Sequence, residues 1–190
     1  GYALDGFFDE MFTAQGGLRP HYERFASSLG SVPRDEWDHR RKAVDTLFLR
    51  QGITFNVYGD SAGTERPFPF DLVPRIVTSG EWDWIERGLK QRIHALNAFI
   101  DDIYHDQKIL KDGVIPEEVV KSAVSFRPQC VGLNPPNGVW CHITGTDLVR
   151  HGDGRIYVLE DNLRVPSGVS YVLENRDLMK RTFPQVFEGL

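Results

Sequence analysis

The stretch from Thr146 to Gly168, TDLVRHGDGRIYVLEDNLRVPSG, constrains this chain more than any other, because it reads as a β-hairpin that gathers two carboxylates. Asp153-Gly154 is a two-residue turn signal, since both positions tolerate the positive φ of a type I′ turn. With that turn Gly152 pairs with Arg155, and counting back along both strands places Asp147 opposite Glu160. Side chains alternate faces along a strand, so Ile156, Val158, Glu160 and Asn162 share one face with Val149, Asp147 and Gly145. Directly opposed carboxylates repel, by about 3 kcal/mol before screening at roughly 5 Å and an effective dielectric of about 20. A divalent cation turns that cost into a gain. Two carboxylates with the neutral oxygen of Asn162 form a donor set suited to a hard cation such as Mg²⁺.

A plainer reading makes these acids solvated edge decoration. Three features favour the site. The shared face carries Val149, Ile156 and Val158, which predicts that it is partly buried. Gly145 opposite Asn162 leaves room for a ligand to approach the backbone. The second strand then runs into Arg164, Pro166, Ser167 and Gly168, a polar loop with donors for phosphate oxygens. Register decides the outcome, because a three-residue turn would shift one strand and separate the acids.

Elsewhere the periodicity predicts helices over 5–12, 20–29, 33–50, 81–105, 117–123 and 168–181, with Pro20, Pro33 and Pro116 at helix starts and Gly52 at a helix end. Strands are expected over Ile53–Tyr58, followed by a loop at Gly59–Gly63, and over Leu72–Val77, where Pro74 restricts the strand to an edge. Asn134-Pro135-Pro136-Asn137-Gly138 reads as a rigid turn leading into the hairpin. The expected fold class is α+β, with helices packed on a mainly antiparallel sheet. Arg75, in PFDLVPRIV, is a candidate anchor for a substrate carboxylate, and equally a solvent-facing edge arginine.

The residues Glu160, Asn162, Pro166, Ser167 and Gly168, preceded by a hairpin and by Asp147, resemble the metal-binding signature of ATP-grasp ligases. More closely, the chain resembles the circularly permuted ATP-grasp family, including glutathionylspermidine-synthase-like proteins. The resemblance extends over FFDEMFTAQGGLRPHY (7–22), RQGITFNVYGD (50–60), PFDLVPRIV (69–77), LNAFIDDIYHDQKIL (96–110) and VLEDNLRVPSGVSYVLENR (158–176), nearly the whole chain. It implies ATP-dependent ligation of a small carboxylate to an amine or thiol through an acyl phosphate. It further implies that Asp147, Glu160 and Asn162 hold Mg²⁺ between the ATP phosphates. On that basis Ser167 and Gly168 open the closing helix and offer backbone N–H groups to a phosphate. Arg164 then neutralises charge on the transferring phosphoryl group, or alternatively pairs with Asp161, which strand alternation turns to the other face.

In the permuted order the segments that hold adenine and phosphates follow the metal motif, and no GxGxxG or Walker-type loop occurs between Gly1 and Leu190. Together with a start at Gly1-Tyr2, without Met, this leads to the expectation of an amino-terminal portion of a larger ligase, completed by a remainder beyond Leu190. The chain is then a partial circularly permuted ATP-grasp domain over 1–190, mainly helical with a small sheet over 1–125, and with the metal hairpin and its following helix over 126–190. A non-catalytic binding or scaffolding domain that keeps the fold is the alternative. A metal-dependent hydrolase is weaker, because no histidine joins the acids.

Composition excludes some partners. A net charge of −5 with no basic block argues against nucleic acid or an anionic membrane surface. Cys130 and Cys141 have no CxxC spacing and are expected as free thiols. No run approaches the roughly 20 apolar residues of a membrane span. A cytoplasmic protein is expected.

Overall fold

Proline and glycine set the helix boundaries. In the computed structural model, which describes residues 5–56 and 65–187, a 3₁₀ turn at Pro20–Tyr22 leads into α1 (Glu23–Gly30). Pro33 is the N-cap of α2 (Arg34–Gln51), and Gly52 closes that helix with a φ of 69°, the left-handed conformation that favours glycine. β1 (Thr54–Asn56) pairs antiparallel with β2 (Glu65–Pro67). α3 (Ser79–Tyr104) follows, then the short α4 (Lys108–Lys111) and α5 (Glu117–Lys121), the latter with Pro116 as N-cap. β3 (Gly145–Arg150) and β4 (Ile156–Asn162) form a second antiparallel pair, and α6 (Gly168–Thr182) and α7 (Pro184–Phe187) complete the order. The class is α+β. Among the described residues the antiparallel pairing is divided between two two-stranded sheets and is not gathered into one. Val57, Tyr58 and the Gly59–Gly63 loop lie outside the described residues.

The chain divides into two compact units. The first draws its described residues from 1–78, 151–155 and 167–190. Its core joins Tyr22 and Phe25 with Val44 and Phe48 of α2, Leu72, and Leu178, Met179 and Phe183 from the end of α6. Each such apolar side chain contributes roughly 1.5–3 kcal/mol by leaving water. Phe183 is fully buried, edge-on to Phe25 at 6.2 Å and 5.6 Å from Trp37 between ring centroids. Arg40 of α2 lies over the Phe183 ring at 4.8 Å and donates to the Thr182 carbonyl at 2.8 Å, so it packs and satisfies the end of α6 together.

Two expected elements of this unit are absent. Residues 5–12 form a turn and not a helix, because the Asp9 carboxylate accepts the Met11 and Phe12 N–H groups at 2.8 and 2.6 Å. An Asx-type bond of this kind competes directly with helix hydrogen bonding. Phe12 then pairs with Leu18 in an isolated bridge. Residues 72–77 are not a strand either. The Tyr22 hydroxyl donates to the Pro74 carbonyl and accepts the Ile76 N–H, each at 2.9 Å, so a buried side chain satisfies backbone groups that a neighbouring strand would have used.

The second unit comprises 79–150 and 156–166. Its centre is α3, which buries Ile85 and Ile103 and leaves Trp82 and Trp84 half exposed. The Asp102 carboxylate accepts the Lys108 and Ile109 N–H groups, both at 2.9 Å, and so fixes the start of α4. The chain entering β3 is held on α3 by Asn97, whose Oδ1 accepts the Trp140 and Cys141 N–H groups, and by Asp101, which accepts the Trp140 indole N–H at 3.0 Å. Among the described residues no helix is long and apolar enough to cross a membrane.

Candidate metal site on the β3–β4 hairpin

Asp147 is the direct partner of Glu160, and Gly145 that of Asn162, as the sequence predicts, but by a different route. The turn is not the two-residue type I′ form. Arg150 pairs with Ile156, leaving His151–Arg155 as the connection, closed by His151 N–H donating to the Arg155 carbonyl at 2.8 Å. Gly154 takes a φ of 86°, whereas Asp153 stays out of the left-handed region and accepts the Arg155 N–H on its carboxylate. That N–H, more than any other group, holds the Asp153 carboxyl below the usual aspartate range. Near the turn the register is therefore one residue away from that expected. A bulge restores it: Leu148 pairs with Val158 and Asp147 with Glu160, so Leu159 is the extra residue.

The bulge also decides the faces. Thr146, Leu148, Arg150, Ile156, Val158 and Asp161 are the less exposed positions, and Asp147, Val149, Tyr157, Leu159 and Glu160 are exposed. Val149 pairs with Tyr157 and not with the Ile156–Val158 side, so the expected apolar support for the acids is missing and their face is open. The sheltered side is tied to α3 by Arg150 with Glu81 and by Arg92 with Asp161, each at 2.7 Å. Thr146 donates to the other Asp161 oxygen at 3.1 Å. Asp161 is thereby committed to the helix side, as alternation requires.

On the open face the Asn162 amide donates to Glu160 Oε1 at 3.1 Å, which leaves the Asn162 carbonyl oxygen available as a third oxygen donor. Among the described residues no group of three or more His, Cys, Asp or Glu could hold a metal ion. The candidate set is two acids and one amide. Its chemistry, all oxygen with two negative charges, fits a hard divalent cation and disfavours a soft one.

Gly145 has a role other than leaving room for a ligand. A Cβ there would lie 2.8 Å from the Pro166 Cβ, so the loop after β4 folds back over the glycine and occupies that space. The same loop holds Val165 at a φ of 51°, a left-handed conformation that is costly for a β-branched residue. Arg164 is exposed and makes no ion pair among the described residues; its alternative partner Asp161 is taken by Arg92. Ser167 is the N-cap of α6 but its side chain makes no capping hydrogen bond, and Ser170 N–H bonds the Ser167 carbonyl at 3.1 Å. Ser167 and Gly168 belong to the first unit, as does Arg75, which is exposed between the two backbone groups held by Tyr22.

Sequence reasoning did not single out Arg92 or Asn97, which with Asp101 are the α3 side chains that seat the hairpin. On a helix surface they read as ordinary solvated positions, and only the partner's position reveals them.

Comparison with known proteins gives a consistent assignment. An uncharacterized protein of Synechocystis sp. PCC 6803 is 50% identical over 189 residues, covering all of this chain and 39% of that protein. An uncharacterized protein of Mycobacterium tuberculosis is 51% identical over 180 residues, 95% of this chain and 32% of its own length. A Frankia alni protein named "Putative glutamate–cysteine ligase 2-3" is 43% identical over 181 residues, 94% of this chain and 20% of its own. The chain thus spans two fifths or less of these relatives. Residues 74–190, which include the whole β3–β4 hairpin and α6, match the profile of circularly permuted ATP-grasp type 2 proteins. The chain belongs to the circularly permuted ATP-grasp type 2 family.

Proposed function

We propose that this chain supplies the metal-binding part of an ATP-dependent carboxylate–amine ligase that works through an acyl phosphate. The observation that carries the reading is the facing pair Asp147 and Glu160 on the open side of the hairpin, with Asn162 hydrogen-bonded to Glu160. Family membership and the ligase name of the Frankia relative support it. In this reading the chain is a partial ATP-grasp domain of a cytoplasmic enzyme. The glutathionylspermidine-synthase-like chemistry of the sequence resemblance and the glutamate–cysteine chemistry of the relative's name both join a carboxylate to an amine.

Asp147, Glu160 and Asn162 hold Mg²⁺ as oxygen ligands. When bound, Mg²⁺ neutralises the charge of the ATP phosphates and lowers the barrier to phosphoryl transfer. Asn162 keeps the Glu160 carboxylate oriented on the open face, and Arg92 keeps Asp161 out of it. Arg164, exposed and unpaired among the described residues, binds the phosphoryl oxygens as a planar bidentate donor. The backbone N–H groups at Ser167 and Gly168, left without a side-chain cap, bind phosphate at the start of α6. Arg75 binds the carboxylate substrate. These residues position and neutralise, and none is asked to form a covalent intermediate.

The test is ADP release by the full-length protein with Mg²⁺, ATP and pools of amino acids, polyamines and small peptides, with Glu160→Gln beside it. The reading expects release that depends on an added acceptor and collapses in the variant. No release and no Mg-ATP binding by a folded protein would replace it with a non-catalytic scaffold.

A further inference from the structure

The unit built on α1, α2 and α6 contains a cavity of about 480 Å³, in the range of roughly 300–1,000 Å³ typical of small-molecule sites. Its lining includes Arg75 and Asp71 from the segment before α3, Asn175 and Arg176 from α6, and the rings of Phe70 and Phe187. Two arginines in the cavity lining, neither ion-paired among the described residues, call for an anion. Arg176 lies over the Phe187 ring at 5.7 Å. Arg75 is presented by a fixed backbone, since Tyr22 bonds the Pro74 carbonyl before it and the Ile76 N–H after it.

A simple anion does not use the rest of the lining. The Asn175 Oδ1 is buried and has no hydrogen-bond partner among the described residues, so it lacks the donor a buried acceptor requires. Asp71 gives one carboxylate oxygen to the Val73 N–H at 2.9 Å and keeps the other as an acceptor. The cavity thus combines cationic donors with acceptors that want N–H groups. A zwitterion satisfies both.

We propose that this cavity binds an α-amino acid, with the carboxylate on Arg75 and Arg176 and the ammonium on Asp71 and Asn175. The assignment deepens the ligase reading by naming its substrate class, and rests on that reading only for the use made of the bound molecule. Binding itself needs neither nucleotide nor metal.

The experiment titrates the chain, without ATP and with EDTA present, against each of the twenty L-α-amino acids by calorimetry and ¹H–¹⁵N NMR. Inorganic phosphate, and the 2-hydroxy acid matching any amino acid that binds, serve as probes that lack the ammonium. At least one amino acid is expected to bind, about tenfold tighter than its 2-hydroxy analogue. Arg75→Ala and Arg176→Ala, both at exposed positions, should each weaken it about tenfold, near 1.4 kcal/mol. With nucleotide absent and divalent metal chelated, the titration reads this site independently of the metal site. No binding by any amino acid to the folded chain would overturn the proposal. So would binding indifferent to both arginine variants, or phosphate and the 2-hydroxy acid binding as tightly as the amino acid, which would make the cavity a plain anion site.

Discussion

Gly145→Ala tests whether the loop after β4 is folded back on the hairpin. The new Cβ would sit 2.8 Å from the Pro166 Cβ, with the Asn162 Cβ and Pro166 Cγ at an unobjectionable 3.8 Å. Carbon atoms prefer about 3.5–4.0 Å, so the proline must retreat by roughly 0.7–1.2 Å. Overpacking of this kind costs about 1–3 kcal/mol. One effect reduces the net: replacing glycine in an unstrained backbone returns about 0.4–1 kcal/mol by restricting the unfolded chain. The net expectation is a loss of up to about 2.5 kcal/mol in urea unfolding. Gly88→Ala is the matched control: it lies within α3, and a Cβ there meets nothing within 4 Å. It should gain up to about 1 kcal/mol from helix propensity. Greater stability of Gly145→Ala than wild type would refute the packed loop.

Phe183→Ala removes a fully buried ring from the first unit's core and should cost about 3–5 kcal/mol in thermal or urea unfolding. Arg92→Ala leaves a shielded Asp161 carboxylate with Thr146 alone and should cost about 1–3 kcal/mol, discounted toward the low end because Arg92 is half exposed, with Thr146→Val adding less than it does in wild type. Burial raises the Tyr22 phenol above its ordinary value of 10.0. The stability this confers is complete below pH 10 and is lost as pH rises from there through the raised folded value; Tyr22→Phe should flatten that alkaline decline while lowering stability at neutral pH, as both backbone bonds are lost.

The helices were legible because their ends are marked by residues with fixed backbone preferences. Pro33, Gly52 and Pro116 stand where the sequence places them, and α3 follows from apolar spacing alone. What failed did so where side chains outside the local pattern take over backbone hydrogen bonds. Asp9 converts an apparent helix into a turn, and Tyr22 removes the need for a strand at 72–77. The Asp147–Glu160 pairing was expected for a reason that is partly wrong: a five-residue connection moves the register, and the Leu159 bulge moves it back. Bulges have no reliable sequence mark, so the open face of the acids was not foreseen. Arg176 and Asn175 were passed over because, on a helix, they read as ordinary polar positions until the segment carrying Arg75 is placed beside them.

The most direct measurement of the central claim is Mn²⁺ binding to the chain by electron paramagnetic resonance, with Mg²⁺ as competitor, in wild type, Asp147→Asn and Glu160→Gln. The account predicts one saturable site that Mg²⁺ displaces and that each variant weakens by at least about tenfold, since each removes a charged oxygen from a three-donor set. Saturable binding unchanged in both variants, or no binding by the folded wild-type chain at millimolar metal, would contradict it.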